Sequence, residues 1–179
     1  MSTGLLSVRE IQKSDIDSLV RYWLNADPDF LTGMGVDLAK MPSGEEFEKM
    51  LSGQLNKSYE EKASYCIIWL LNDIPVGHSN INKIQFGESA YMHLHLWNDA
   101  SRQKGMGAAL VRLSLPYFFN NYKLKKLCCE PYALNPGPNK TLERAGFQFI
   151  KKMLTTPGWL NFEQEVNLWE MSHERFKQL

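Results

Sequence analysis

A short segment rich in glycine and positive charge is the first place in this sequence where a ligand site is expected. Its residues are Arg102, Gln103, Lys104, Gly105, Met106, Gly107 and Ala108. The surrounding pattern predicts that a strand ends, a short loop follows and a helix begins at the two glycines. A helix start exposes unpaired N–H groups and the positive end of the dipole, so this segment predicts a phosphate or pyrophosphate site. A tight strand-to-helix turn is the alternative, because it needs the same glycines.

The spacing of the glycines excludes two common phosphate-binding motifs. No Gly-Lys-Ser/Thr follows, as a Walker loop requires. The third glycine of the dinucleotide fingerprint is absent, and the strands upstream are predicted to form hairpins.

The strand before this segment carries two of the four histidines of the chain. Successive strand residues point to opposite faces, so one face holds Tyr91, His93, His95 and Trp97, and the other holds Met92, Leu94 and Leu96. Histidine has an unperturbed pKa of about 6.5 and can take up a proton near neutrality. This face is therefore a candidate for proton transfer, or else an ordinary polar face of a partly exposed sheet.

The N-terminal part of the chain is predicted to supply a strand and two helices. In order, we expect a strand over 6–11, a helix from about Ser14 to Asn25, an irregular loop over 26–42, and a helix after Ser43, where Glu46 completes a capping box.

The remaining elements would hold the glycine segment and the histidine strand in a sheet. We expect strands over 65–71, 75–84, 90–97, 124–130, 147–153 and 163–171, a helix over 105–120 that Pro116 kinks or ends, and a short helix ending at Gly146. This order predicts an α+β fold with α/β/α-like layers: a mixed, largely antiparallel central sheet of about seven strands with four helices. Without a repeat or linker, residues 1–179 are predicted to form a single domain.

Composition and charge narrow the class of partner. Lys+Arg and Asp+Glu both number 20, so the balance does not favour nucleic acid or an anionic membrane as partner. The cysteines, Cys66, Cys128 and Cys129, lack the spacing of a disulfide framework or zinc site and are expected to be buried, and no metal site is predicted. No signal-peptide pattern or bilayer-length apolar run is present, so a soluble cytoplasmic protein is expected.

Two motifs resemble the GNAT superfamily of N-acetyltransferases. Residues 102–108 match its Arg/Gln-x-x-Gly-x-Gly/Ala signature. The run from Asn135 to Phe147 also resembles the family, in which an Asn opens the loop, a short helix follows and Gly-Phe closes it. The predicted order of elements fits this family over the whole chain.

The resemblance implies transfer of an acetyl group from acetyl-CoA to a primary amine of a small molecule or peptide, directly through a ternary complex. It implies that the backbone amides from Gln103 to Ala108 hold the coenzyme A pyrophosphate. The pantetheine arm would pair with the backbone of residues 95–97, which include Leu96 and Trp97, and would face Asn135 and Asn139 on its other side. Lys140 and Arg144 are candidates for the ribose phosphate, or they are solvated helix charges.

In the family, the histidine strand often carries the general base, as Glu or His. His93 is therefore the leading candidate for the base and His95 the second, with a backbone N–H near His95 or Leu96 as oxyanion donor. The sequence departs from the family at the general acid. Leu142 stands where many members place Tyr, and Pro138 stands where ribosomal-protein acetyltransferases often place Ser. Tyr91, Tyr132 or water are the remaining candidates.

The acceptor amine is not named by the sequence, nor is the length of the acyl chain. An acidic loop with Asp27, Asp29 and Asp37 near Tyr22, Trp23 and Phe30 would attract an amine cation, unless the aspartates are turn formers and the aromatics core. Trp159 and Phe162 would complete the pocket or an intersubunit contact, and an exposed last strand would allow a homodimer. The alternatives to an enzyme are a catalytically degenerate acyl-CoA-binding module or sensor, and a nucleotide-binding protein.

Overall fold

A seven-stranded mixed sheet runs through the middle of the computed structural model, which describes residues 4–97 and 105–179. Its strands are β1 (Leu6–Glu10), β2 (Tyr65–Leu71), β3 (Ile74–Gln85), β4 (Ser89–Leu96), β5 (Lys126–Cys129), β6 (Gln148–Thr155) and β7 (Gln164–Ser172). They lie in the order β1-β2-β3-β4-β5-β7-β6, and every pair is antiparallel except β4 and β5. The predicted class and strand number are confirmed.

Six α-helices are found among the described residues. They are α1 (Ile16–Leu24), α2 (Pro28–Gly33), α3 (Gly44–Leu55), α4 (Met106–Tyr122), α5 (Pro136–Ala145) and α6 (His173–Phe176). Four of them match the predicted helices, while α2 and α6 are short additions of 6 and 4 residues. None of the described helices is long and apolar enough to cross a bilayer.

Local capping explains where several helices begin and end. The predicted capping box of Ser43 and Glu46 starts α3, and Gly146, with φ of 101°, ends α5 as predicted. The prediction of an irregular loop over 26–42 is wrong in part, because Asp27 accepts hydrogen bonds from the first turn of α2 and Pro28 suits its first position. In α4, Pro116 does not end the helix.

The two faces of the sheet carry different helices. Alternate residues of β2 divide between two buried clusters: Ile67 and Trp69 pack with residues of α4, whereas Ile68 and Leu70 pack with Leu19 of α1. We call these the α4 face and the α1 face. The three cysteines are buried and unpaired, as predicted.

The parallel strands β4 and β5 separate soon after they meet. They pair only from Ser89 to Tyr91 on β4 and from Lys126 to Cys128 on β5. Beyond that point β4 continues to Leu96, still paired with β3 on its other side. Among the described strands, none pairs with residues 92–96 on the β5 side, which leaves a gap in the middle of the sheet.

Candidate active site

A cleft of about 470 Å³ lies where β4 and β5 separate. Leu94, His95 and Leu96 of β4 form one wall, and α5 contributes Thr141 and Arg144 to the other. Tyr22 of α1 and Phe30 of α2 cover it from the α1 face, whereas Gly105, Gly107 and Ala108 at the start of α4 close one end. The cleft is open to solvent and is large enough for an extended ligand.

The start of α4 has the backbone of an anion site. Gly105 caps the helix with φ of +86°, a left-handed conformation that favours glycine, and its Cβ position faces open space. The N–H groups of the first turn have no acceptor inside the helix. Met106 contributes only backbone here, because its side chain is buried in the core. The predicted ligands Arg102, Gln103 and Lys104 lie outside the described residues.

The two predicted asparagine ligands have different surroundings. Asn135 lines the cleft, and its Oδ1 accepts a hydrogen bond from the N–H of Gly137 to cap α5. Both polar atoms of the Asn139 side chain are hydrogen-bonded to other residues of the protein. Its amide donates to the carbonyls of Tyr132 and Asn135, 3.1 and 2.7 Å away, and accepts from Asn167 and Trp169 at 2.8 and 2.9 Å. Asn139 thus holds the Asn135 loop against β7 and does not line the cleft.

The two predicted phosphate ligands on α5 also differ. Arg144 lines the cleft, whereas Lys140 is exposed and lies outside the lining of that cavity.

A second, smaller cavity on the α1 face adjoins the cleft. It measures about 150 Å³, and we call it the α1-side pocket. His93 and His95 of β4, Glu130 after β5, and Trp23 of α1 are among its walls. The pocket and the cleft share five lining residues: Met34, Leu94, His95, Asn135 and Pro138. A molecule in the cleft and a molecule in the pocket would therefore meet beside His95.

Three of the four histidines lie together on the α1 face. His78 of β3 pairs in register with His95, and their rings stack with centroids 4.7 Å apart. His93 Nε2 lies 3.2 Å from Asn82 Oδ1, and His95 Nδ1 lies 3.1 Å from the Tyr22 hydroxyl. The predicted alternation of β4 is thus confirmed, with its histidines on one face.

Burial keeps these histidines neutral. It lowers the pKa of His93 to about 4 and that of His78 to about 3, with a smaller contribution from neighbouring positive charge. The pKa of His95 is also lowered well below its usual value, first by burial and then by His78 and His93. At pH 7 each ring therefore has a nitrogen lone pair that can accept a proton or hydrogen bond.

Trp97 is tied to the histidine cluster by its side chain. Its indole Nε1 donates to His78 Nδ1 over 2.8 Å, which fixes the remaining proton of that neutral ring on Nε2. Its backbone N–H donates to the carbonyl of Val76, so the chain remains hydrogen-bonded to β3 at Trp97.

The family model described as an acetyltransferase (GNAT) domain matches residues 6–148. The chain belongs to the GNAT acetyltransferases. The enzyme class that goes with this family is acetyl-CoA-dependent acyl transfer. No curated protein matches the sequence.

Solved structures show the same GNAT fold at low sequence identity. Aminoglycoside acetyltransferase AAC(6')-Ib with coenzyme A has a TM-score of 0.73 and 16% identity, over 97% of this chain and 98% of that one. RimL, a ribosomal L7/L12 α-N-protein acetyltransferase with coenzyme A, has a TM-score of 0.74 and 17% identity, over 96% and 95%. Spermidine N-acetyltransferase from Vibrio cholerae, with coenzyme A and spermine, has a TM-score of 0.76 and 16% identity, over 96% and 98%.

Glu130 lines the α1-side pocket and was not among the candidate residues predicted from the sequence. Its side chain is 6% exposed, and its one ion-pair partner among the described residues is Lys83, with Nζ 4.0 Å from Oε2. Burial raises the pKa of this carboxyl group, and Lys83 opposes the rise. A charged residue directly after a buried strand was the available signal, because ligands bind at the carboxyl ends of parallel strands.

Tyr91 lies at the edge of the opening in the sheet but lines neither cavity there. It occupies the last position at which β4 and β5 pair, and the Lys83 ammonium lies 4.8 Å from the centre of its ring. Burial is the main cause that raises the pKa of its hydroxyl. Tyr91 lines neither the cleft nor the α1-side pocket, whereas Tyr132 lines the pocket. Leu142 is fully buried in the core.

The aspartates of the α2 region serve local structure. The Asp27 carboxylate caps α2, and the Asp37 carboxylate accepts from the N–H of Ala39 and pairs with Lys40 at 3.5 Å. Asp27, Asp29 and Asp37 line neither cavity, whereas the neighbouring aromatics Tyr22, Trp23 and Phe30 do. The turn-former alternative holds for the two capping aspartates, and the aromatic part of the loop faces the site.

Proposed function

We propose that this GNAT chain transfers an acetyl group from acetyl-CoA to a primary amine of a small molecule or peptide, directly within a ternary complex. The observation that carries the proposal is the meeting of the cleft and the α1-side pocket beside His95. A donor in the cleft and an acceptor in the pocket can react there without an acyl-enzyme intermediate. The structures of relatives that hold coenzyme A with kanamycin or spermine support this arrangement.

The walls of the cleft suit coenzyme A. The amides at the start of α4, with the open Cβ side of Gly105, would hold the pyrophosphate. The edge of β4 that β5 leaves would pair with the pantetheine arm as an added strand, with Asn135 opposite. Arg144 supplies positive charge for a phosphate.

Acyl transfer from a bound ammonium requires three proton movements at the junction. The ammonium first loses one proton to the base, which releases it to solvent. The amine nitrogen then forms a C–N bond to the acetyl carbon as the C–S bond breaks, the nitrogen loses its second proton, and the thiolate takes one up. His93 is the proposed base, because the tautomer that donates from Nε2 to Asn82 keeps a lone pair on Nδ1. His95 remains the second candidate, at the boundary of both cavities.

Tyr22 is the proposed donor of the proton that the thiolate takes up. It lines the cleft, and its hydroxyl lies 3.1 Å from His95 Nδ1. The phenolate that remains on Tyr22 then takes up a proton from the solvent to which the cleft is open. This residue comes from α1 and would take the role that Leu142, buried in the core, does not fill.

A thiol-release assay over a panel of amines tests the proposal, with two histidine variants. His93→Ala should lower kcat by about 10²–10⁴-fold, the usual contribution of a general acid or base, with coenzyme A affinity unchanged. His173→Ala is the control, because His173 packs on Phe119 at the start of α6, outside both cavities. Intersecting initial-rate lines would support the ternary complex, whereas parallel lines would indicate an acyl-enzyme.

The same assay addresses the alternative function. Tight coenzyme A binding without turnover of any amine in the panel would favour the degenerate binding module or sensor. An unchanged rate in His93→Ala would remove His93 as the base but leave acyl transfer standing.

A further inference from the structure

The α1-side pocket continues into a larger apolar cavity between the sheet and the first helices. This cavity, which we call the apolar chamber, measures about 420 Å³. Its walls include Leu19 and Trp23 of α1, Phe47 and Leu51 of α3, and Trp159. The volume falls within the range of small-molecule sites, roughly 300–1,000 Å³.

The chamber and the pocket form one continuous site. They share Trp23, Asn80, Asn82, Trp159 and Leu160. Asn82 also contacts His93, so the shared wall includes the partner of the proposed base. A molecule that fills the chamber can thus present one end to His93.

The lining of this combined site carries one carboxylate. Among the described residues around the two cavities, Glu130 is the sole acidic side chain, and no Lys or Arg is present. The Glu130 side chain is only 6% exposed to solvent. Its one ion-pair partner among the described residues is Lys83, whose Nζ lies 4.0 Å from Oε2, which is long for an ion pair. A buried carboxylate with so weak a partner is costly, and an ammonium ligand in the pocket would offset that cost.

Aromatic rings form the other recognition element. The rings of Trp23 and Phe47 stack with centroids 6.1 Å apart. Trp159 lines both cavities yet remains 51% exposed, so its indole is available at the mouth of the site. Its loop lies over the base, since a Cβ at Gly158 would be 3.9 Å from His93 Cε1. A flat apolar group would be covered by these rings.

We infer that the acceptor is a small primary amine with one positive charge and an apolar, aromatic body. Glu130 binds its ammonium group, and the apolar chamber holds its body against Trp23 and Trp159. Acceptors with several positive charges would place a second ammonium in the chamber, where no carboxylate lines the described wall. This inference rests on the proposed acetyl transfer and names the class of its acceptor.

Competition between amine classes tests the inference. The panel contains benzylamine and 2-phenylethylamine as aromatic monoamines, methylamine as a small monoamine, and spermidine and kanamycin as polycations. We expect kcat/KM for the aromatic monoamines to exceed that for both polycations by at least tenfold. Higher kcat/KM for spermidine or kanamycin would overturn the acceptor class and leave acetyl transfer intact.

Two variants separate the charge from the apolar contact. Glu130→Gln keeps the shape of the side chain and should raise KM for 2-phenylethylamine at least tenfold, with coenzyme A affinity unchanged. Trp159→Ala should raise KM for the aromatic monoamines while leaving methylamine unaffected. Glu165→Gln is the matched control, because Glu165 is 59% exposed in a surface pair with Lys152 and lies outside both cavities.

Direct binding keeps the inference testable if no amine in the panel is acetylated. Titration of 2-phenylethylamine into the coenzyme A-loaded protein should show binding that Glu130→Gln weakens and Glu165→Gln does not. That result would support the acceptor site while contradicting the proposed catalysis. Absence of binding, or equal binding by both variants, would overturn the inference.

Discussion

At the scale of single residues, proton transfer depends on which side chains reach the junction between the cleft and the α1-side pocket. His95 lines both cavities, and the Tyr22 hydroxyl is 3.1 Å from its Nδ1. Tyr132 lines the pocket only and packs edge-on against Phe162. Tyr22 is thus placed on the side where the thiolate would leave, and Tyr132 on the side where the amine would enter.

Replacement of Tyr22 by Phe tests this division. Tyr22→Phe should lower kcat by about tenfold, near the low end for acid–base catalysis, because a thiolate can leave without a proton donor. The ring that lines the cleft is kept, so the Kd of coenzyme A should not change. The loss should shrink with acyl donors whose thiols are more acidic. A fall in kcat for Tyr132→Phe with none for Tyr22→Phe would assign the donor to Tyr132 instead.

The residues that the sequence predicted and those that it missed differ in how far along the chain their partners lie. His93 and His95 were found from the alternation within β4, which is local. Glu130 was missed, and Tyr22 was expected only near the acceptor and not as a proton donor, because their positions depend on the separation of β4 from β5 and on the way α1 crosses the sheet. Neither feature is encoded in a short spacing, so only the folded structure brings Glu130, His93 and Tyr22 to one site.

At the scale of elements, the start of α4 decides whether the cleft can bind an anion. Gly105 has φ of +86° and open space at its Cβ position, and Gly87, in the turn between β3 and β4, has φ of +78° with equally open space. The two glycines therefore impose the same backbone strain when replaced, but only Gly105 faces the cleft.

This pair of glycines gives a matched test of the anion site. Gly105→Ala and Gly87→Ala should each lower the free energy of unfolding by about 1 kcal/mol, through the strain of a left-handed residue. Gly105→Ala should in addition raise the Kd of coenzyme A several-fold, because the first-turn amides of α4 shift. Calorimetric titration measures this difference. Equal affinities in the two variants would place the pyrophosphate elsewhere.

Helices with local capping signals were predicted well, whereas the α2 region was not. The Ser43–Glu46 box and the Gly146 cap act within a few residues, so the sequence shows them directly. Asp27-Pro28 favours a helix start as well as a turn, and packing of Leu31 in the core decides for the helix. The local sequence thus allowed either a turn or a helix at Asp27-Pro28, and tertiary packing determined which of the two forms.

At the scale of the whole molecule, the two outer strands of the sheet leave edges that another chain could cover. Strand β6 exposes Phe149, Ile150 and Leu154, which are 52%, 46% and 65% exposed. The last strand was expected to be exposed but is interior, because β7 pairs with β5 on one side and with β6 on the other. The homodimer stays a prediction, and analytical ultracentrifugation would test it. The single-domain organisation of residues 1–179 likewise stays a prediction.

The histidine cluster links the site to the stability of the whole fold. A histidine whose pKa is lower in the folded state than its unfolded value of 6.5 takes up its proton mainly in the unfolded chain as pH falls. His78 and His93, with folded pKa values of about 3 and 4, therefore contribute stability that is present above pH 6.5 and is lost below it. Burial raises the pKa of Asp15, but the hydrogen bonds from Arg9 and from the N–H of Gln12, with the charge of Arg9, lower it by more. The pKa of Asp15 therefore lies below its usual value of 3.8, and Asp15 changes the pH dependence of stability only at lower pH.

Urea unfolding between about pH 4.5 and pH 6.5 measures the contribution of the histidines to stability. The free energy of unfolding should fall with decreasing pH, by about 1.4 kcal/mol per pH unit for each histidine that is neutral when folded.

Two variants separate the titration of His78 from its hydrogen bond. His78→Gln keeps an acceptor for the Trp97 indole and should reduce the slope of the free energy against pH by one such contribution. Trp97→Phe should lower stability by about 1 kcal/mol at every pH without changing the slope, because it removes the hydrogen bond but not the titrating ring. Glu130 acts in the opposite sense, since its raised pKa disfavours the fold as pH rises, and it is common to all three proteins. Equal slopes in wild type and His78→Gln would mean that His78 is charged in the folded state, which would contradict the neutral cluster on which the proposed proton transfer depends.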